Sequence, residues 1–193
     1  MIFTRGFELT TSITNIFIFI FSLYGYLKIK NKRWNFFFLC MTIDSLLGSI
    51  VHGIVMSQAI NNLLWVFLVI FFIITLSTLL CIYIDLKMKH IIILSLIMTF
   101  ILFVEIFYNL NFIFTFTMYV LISILLILYI IIKDGIKKHK WFFIGIIILL
   151  IGGFLMLGKV KWWILNHNGI CHIFILITLI CFYIGIKDMK SNE

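Results

Sequence analysis

Three histidines, His52, His167 and His172, stand out in a chain whose other residues are mostly apolar. Imidazole is a common metal ligand, and ionisable groups inside a membrane are costly enough to suggest a function. Three histidines on one metal ion, with a position left open for water, could generate hydroxide for attack on an amide or ester. Whether these three meet decides between an enzyme and a small helical membrane protein.

Three carboxylates could act as a base or orient the water of such a site, namely Glu8, Asp44 and Glu105. At 1.5 Å per residue, His52 lies roughly 27 Å along its predicted helix and Asp44 about 15 Å along the same helix. Glu8 and Glu105 fall toward the end of the molecule that holds the histidines. Asp44 instead falls near the middle of the membrane, where it could equally be a structural hydrogen-bond partner.

Small polar residues precede His52 on the same side of its helix. Ser45, Gly48 and Ser49 lie seven, four and three residues before it. With 3.6 residues per turn these positions share a face, and Asp44 lies about 80° away from it. Such a stripe on an otherwise apolar helix is expected to face the interior of a helical bundle.

His167 and His172 are separated by five residues, which on one continuous helix would turn them about 140° apart. They can share a metal ion only if His167 lies outside the helix. Asn168 followed by Gly169 can serve as a helix N-cap, which would leave His167 in the preceding loop, an arrangement that the sequence permits but does not specify.

The composition defines the setting for these residues. Of the 193 residues, 64% are hydrophobic and 11% are charged, and the mean hydropathy is +1.25. This composition predicts an integral membrane protein. The net charge of +8 comes from short basic clusters between apolar runs, so it indicates topology signals and no nucleic-acid partner.

Seven apolar runs are long enough to cross a bilayer, which predicts an all-α, single-domain bundle of seven transmembrane helices over residues 1–193. The breaks between the runs are short and polar, including the pair Asn61–Asn62. The predicted spans are 11–27, 34–56, 63–84, 91–108, 112–132, 141–157 and 169–186.

Lysine and arginine are distributed unequally between the two sets of predicted loops. One set holds twelve of them, and the other holds only Arg5, Lys159 and Lys161. Because basic residues are retained on the cytoplasmic side, the N-terminus is predicted to face out and the C-terminus the cytoplasm. All three histidines then lie near the external face.

Two stretches resemble a known family. Residues 44–53, with Asp44, Ser49 and His52, and residues 166–172, which open the last span, are similar to motifs of the CREST superfamily of alkaline ceramidases and progestin/adiponectin receptors. Residues 8–15 also look like the acidic, Thr-rich opening of bacterial relatives of that group. The resemblance implies a multi-pass protein of the plasma membrane, in a bacterium the inner membrane.

By this resemblance His52, His167 and His172 would be Zn²⁺ ligands, and Asp44 and Ser49 would act around a zinc-bound water, with Glu8 as another candidate catalytic carboxylate. The chain departs from the family pattern at two points. The last two histidines are one residue further apart than usual, and Gly48 stands where a serine four residues before His52 is expected.

The resulting expectation is a zinc-dependent hydrolase of a lipid amide or ester, acting within the bilayer on a substrate with an acyl chain. Two other functions fit the same residues. One is a seven-helix receptor or sensor in which the metal is structural, and the other is a metal-free structural membrane protein.

Overall fold

The computed structural model describes residues 8–85, 87–107 and 112–191, and these residues form seven helices and no β-strand. The all-α prediction is therefore confirmed. The helices are α1 (Leu9–Lys28), α2 (Lys32–Gly53), α3 (Gln58–Tyr83), α4 (Met88–Phe107), α5 (Phe112–Asp134), α6 (Lys140–Leu157) and α7 (His167–Ser191).

Five of these helices, α1, α2, α3, α6 and α7, are long and apolar enough to cross a membrane within the described part of the chain. Helix α4 contributes a shorter apolar stretch, Ile92–Ile101. The chain is thus a membrane protein. The predicted break between the fourth and fifth spans, at residues 109–111, lies outside the described residues.

The second and third helices depart from their predicted limits. Helix α2 ends at Gly53, three residues before the predicted end, and α3 begins at Gln58, so the predicted break at Asn61–Asn62 is wrong. Ser57 caps α3 by accepting a hydrogen bond from the Ile60 backbone N–H at 3.4 Å, and Gln58 donates to Asn62 at 2.7 Å. The first turn of α3 is polar, so hydropathy alone does not reveal it.

Helix α1 packs against α2 and α7, α6 packs against α7, and α3 packs against α2. Near the start of α2, Trp34 stacks on Phe142 with ring centroids 5.2 Å apart, and Phe142 contacts Phe182 at 5.6 Å. Gly185 lies against Phe142, and a Cβ there would approach the ring to 2.7 Å. Aromatic rings thus fill the space left by a small residue and join α2, α6 and α7.

The bundle has two chemically different ends. At the first, which we call the histidine end, α1 and α7 begin and α2 ends, and the Glu8 backbone N–H donates to the His52 carbonyl at 2.8 Å. At the other, which we call the basic end, α2 and α6 begin and α3 and α7 end. The basic end contains the cluster Lys28–Arg33 and the segment Lys137–Lys140.

Candidate functional site

Helices α1 and α2 approach each other closely at the histidine end. The Ser12 hydroxyl donates to the Ser49 carbonyl at 2.8 Å, and a Cβ on Gly53 would collide with the Ser12 oxygen. One turn deeper, a Cβ on Gly48 would lie 3.0 Å from the Asn15 amide oxygen. Gly48, which belongs to the predicted small polar stripe, and Gly53, which does not, therefore let α1 approach the His52 helix.

Glu8, immediately before α1, is the centre of a polar cluster at this end. Its Oε2 atom accepts hydrogen bonds from the Thr11 hydroxyl at 2.8 Å and from the side-chain amides of Asn166 at 2.9 Å and Asn168 at 3.1 Å. The Nδ1 atom of His52 lies 3.5 Å from the same oxygen. One carboxylate thus joins the start of α1, the end of α2 and the start of α7.

The start of α7 corrects one prediction. Asn166, and not Asn168, is the N-cap, because its Oδ1 accepts a hydrogen bond from the Gly169 backbone N–H at 2.7 Å. His167 is consequently the first residue of α7 and does not lie in the loop. On this helix, five residues separate His167 from His172 by about 140°.

Thr14 lies beside one ring nitrogen of His172, and its contacts favour one tautomer of that ring. The Thr14 hydroxyl lies 2.9 Å from the Thr11 carbonyl and 3.1 Å from the Thr10 carbonyl, so its single proton is used within α1. The Nδ1 atom of His172 lies 3.3 Å from the same hydroxyl, which can then only accept. Neutral His172 should carry its proton on Nδ1 and leave the Nε2 lone pair free.

His52 lies between three other side chains of the site. Its ring centroid is 6.2 Å from that of His172 and 5.5 Å from that of Trp65, both in edge-to-face orientation. Glu8 faces its Nδ1, and this favours a proton on that nitrogen too. The two imidazoles therefore form a pair in which the Nδ1 atom of each ring faces a polar side chain of α1 or of its N-cap.

The carboxyl group of Glu8 is ionised at neutral pH. Partial burial raises its pKa, but hydrogen bonds from Asn168, Thr11 and Asn166 and the proximity of His52 lower it by more, so the pKa lies below its ordinary value of 4.5. The side chain is 28% exposed, and the cluster is therefore open to solvent at this point.

Other predicted site residues lie apart from this cluster. The Ser49 hydroxyl donates to the Leu46 carbonyl of its own helix at 2.8 Å. Asp44 lies eight residues before His52, and its Oδ1 is buried without a hydrogen-bond partner among the described residues. The Nδ1 atom of His167 is likewise buried and unpaired within the described chain. The side chain of Glu105 lies outside the described residues.

The described side chains include no group of three His, Cys, Asp or Glu residues arranged to hold a metal ion. The structure brings together His52, His172 and Glu8, and it does not bring His167 to them. Whether zinc binds stays a prediction.

The sequence did not predict a part in this site for four residues that complete the cluster, namely Thr11, Thr14, Asn166 and Asn168. A signal for the threonines was present, because Glu8, Thr11 and Thr14 recur every three residues and so follow one face of a helix. The two asparagines flank His167, and the only role that the sequence predicted for either was that of Asn168 as a helix cap.

A hydrophobic helical bundle that gathers one polar cluster where its first, second and seventh helices meet places the chain in the class of polytopic membrane proteins. Within that class the chain belongs to DUF6962, a family of unknown function, which matches residues 10–191. The match includes all seven helices except the first residue of α1, and it begins two residues after Glu8. No curated protein and no solved structure matches the chain.

Proposed function

We propose that this protein is a zinc-dependent hydrolase of a lipid amide or ester, and that Glu8, His52 and His172 form its reactive centre. One observation supports this proposal. The ring centroids of His52 and His172 lie 6.2 Å apart, and the Glu8 Oε2 atom lies 3.5 Å from the His52 Nδ1 atom. Ionisable groups gathered inside an apolar bundle are a common mark of a functional site.

Each residue of the centre has a distinct role in this proposal. Glu8 holds the Nδ1 proton of His52 and thereby directs its Nε2 lone pair away from the carboxylate. Thr14 does the same for His172 through its hydroxyl oxygen. The amides of Asn166 and Asn168 keep Glu8 ionised and fixed in position.

The donor types present are those of hydrolytic zinc sites, which use three histidines or two histidines and a glutamate. His52 and His172 would hold the ion. Glu8, on the Nδ1 side of His52, would orient that ligand and would not itself bind the ion, and His167 lies about 140° from His172 on α7. When bound, zinc would polarise a substrate carbonyl and lower the pKa of its water toward 7.

The surroundings of the cluster favour a substrate with an acyl chain. The outward faces of α1 and α3 carry large apolar side chains, among them Phe17, Ile20 and Phe67, which suit contact with lipid. The cluster lies at one end of these helices, at headgroup depth. An amide or ester close to a headgroup would reach it without leaving the bilayer.

We also propose seven transmembrane spans, with the histidine end facing out and the C-terminus facing the cytoplasm, in the plasma membrane. The unequal distribution of lysine and arginine supports this orientation. The reactive centre would then act on lipids of the outer leaflet.

A second candidate function is a receptor or sensor without catalytic activity. Its support is that Ser49 and Asp44, the other expected catalytic groups, lie outside the cluster, while Glu8 already accepts three hydrogen bonds. A carboxylate that accepts several side-chain hydrogen bonds from different helices can serve as a structural connection between them.

A turnover assay tests the proposal and separates the two functions. Purified protein in mixed micelles would be given fluorescent long-chain amides and esters, and fatty-acid release would be measured with and without a zinc chelator. We expect release by the wild type that is lost on chelation and reduced at least 100-fold in His52→Ala and His172→Ala, which is the scale of losing a metal ligand or catalytic base.

His90→Ala is the matched control, because His90 lies on α4 and outside the cluster, and we expect it to retain full activity. An absence of release by zinc-loaded wild type across amides and esters would overturn the hydrolase and favour the sensor.

A further inference from the structure

The basic end of the bundle contains a cavity of about 540 Å³ that is separate from the histidine end. It lies where α2 and α6 begin and where α3, α5 and α7 end. Its walls include Lys32, Arg33, Tyr83, Asp134, Lys138 and His139. The volume is sufficient for a phosphate group together with part of the molecule that carries it.

The charges around this cavity favour a singly charged anion. Lys32, Arg33 and Lys138 contribute three positive charges, and Asp85 and Asp134 contribute two negative ones. Arg33 pairs with Asp85 at 2.7 Å, and Asp85 is mostly exposed. The remaining balance is one positive charge, which suits a phosphate monoanion better than a dianion.

Two helix N-termini adjoin the cavity and add to its positive potential. Asn31 caps α2 by accepting from the Arg33 and Trp34 backbone N–H groups. Helix α6 has no such cap, because His139 at its N-cap position makes no side-chain capping bond. The first N–H groups of α6 are therefore available to a ligand.

Two buried polar atoms on the cavity wall have no hydrogen-bond partner among the described residues. They are the hydroxyl of Tyr83 and the Nδ1 atom of His139. Buried polar atoms are nearly always bonded, so these two atoms can bond a group that enters the cavity. Burial, and then Lys138, lower the pKa of His139 more than Asp134 raises it, so its ring is neutral at neutral pH.

We propose that this cavity binds a singly charged phosphate group, held by Lys138, the Tyr83 hydroxyl, His139 and the uncapped start of α6. A phosphodiester lipid headgroup and free dihydrogen phosphate share this chemistry. The cavity lies at the end of helices that are long and apolar enough to cross a membrane, which is the depth at which lipid headgroups would lie.

Binding would be measured on the detergent-solubilised full chain by titration with short-chain phosphatidylglycerol and, separately, with inorganic phosphate. We expect saturable binding that weakens about tenfold in Lys138→Gln and in Tyr83→Phe, since each removes one hydrogen bond to a charged group. Tyr83→Phe keeps the ring, and circular dichroism would show that each variant retains its helices.

Lys30→Gln is the matched control, because it removes the same charge from the same end of the bundle without touching the cavity wall. Lipid binding that phosphate does not displace identifies a headgroup site, and displacement by phosphate identifies a site for free phosphate. An equal loss in Lys30→Gln, or no saturable binding of either probe, would overturn the proposal.

Discussion

Glu8 connects more of the site than any of the histidines does. Its carboxylate bonds side chains on α1 and α7 and faces His52 on α2. A single residue beside the first helix thus contacts side chains from three helices. The stability of the cluster should therefore depend on whether the Glu8 carboxyl group is ionised.

Lowering the pH should reduce the stability that the ionised Glu8 carboxylate gives to the histidine end. The folded pKa of Glu8 lies below 4.5, so its ionised form stabilises the fold above that value, and the contribution is lost as the pH falls through the folded pKa. Thermal unfolding in detergent should therefore show a melting temperature that drops as the pH is lowered below 4.5. Glu8→Gln should lower the melting temperature at pH 7 and reduce its dependence on pH in this range. An unchanged pH profile in Glu8→Gln would show that other groups cause the loss.

The protonation of His172 gives a second prediction at the scale of single atoms. Neutral His172 should be the Nδ1–H tautomer, because the Thr14 hydroxyl can only accept from it. Nitrogen-15 NMR of metal-free protein labelled at histidine would distinguish the two ring nitrogens. Thr14→Val should shift the population toward the Nε2–H tautomer, and a dominant Nε2–H form in the wild type would contradict the assignment.

At the scale of the helices, the contact between α1 and α2 determines the position of His52. Gly53 has no room for a side chain beside Ser12, whereas Gly153 on α6 has open space around its Cα. Gly53→Ala should lower the free energy of unfolding by about 1–3 kcal/mol through overpacking. Gly153→Ala is the control and should be neutral or stabilising by up to about 1 kcal/mol, because alanine favours a helix. Denaturant titration would compare them, and equal effects would argue against a close α1–α2 contact.

Hydropathy predicted where the helices lie better than it predicted where they end. All seven helices overlap the predicted spans, since each span must cover its apolar face. The start of α3 was missed because its first turn is polar and is held by the Ser57 cap. Similarly, Asn166 and Asn168 are equally good caps by residue type. Only the hydrogen bond from Gly169 to Asn166 shows which one is used.

The sequence likewise predicted the depth of the site residues along their helices better than it predicted their contacts. His52 and His172 were expected at one end of the bundle, and they lie together there, because helical rise and chain direction determine depth. Whether His167 belongs to α7 depends on which asparagine caps the helix. Asn166 is the cap, so His167 is helical and its expected position in the loop was wrong. The roles of Thr11 and Thr14 depend on contacts between helices that the sequence does not encode locally.

At the scale of the whole molecule, the orientation can be tested by cysteine labelling. The four native cysteines are buried, so their background reaction with a maleimide should be low. Lys161→Cys, at the histidine end, should react with a membrane-impermeant maleimide in intact cells. Lys30→Cys, at the basic end, should react only after the cells are permeabilised. The reverse pattern would place the reactive centre on the cytoplasmic side.

The zinc content of the purified protein tests the central claim, that His52 and His172 form one metal-dependent centre, most directly. After equilibration with zinc and removal of unbound ions, elemental mass spectrometry would give the number of ions per chain. We predict one zinc per wild-type chain and per His90→Ala chain, and none in His52→Ala or His172→Ala. Wild-type protein without zinc, or zinc retained in both histidine variants, would contradict the claim.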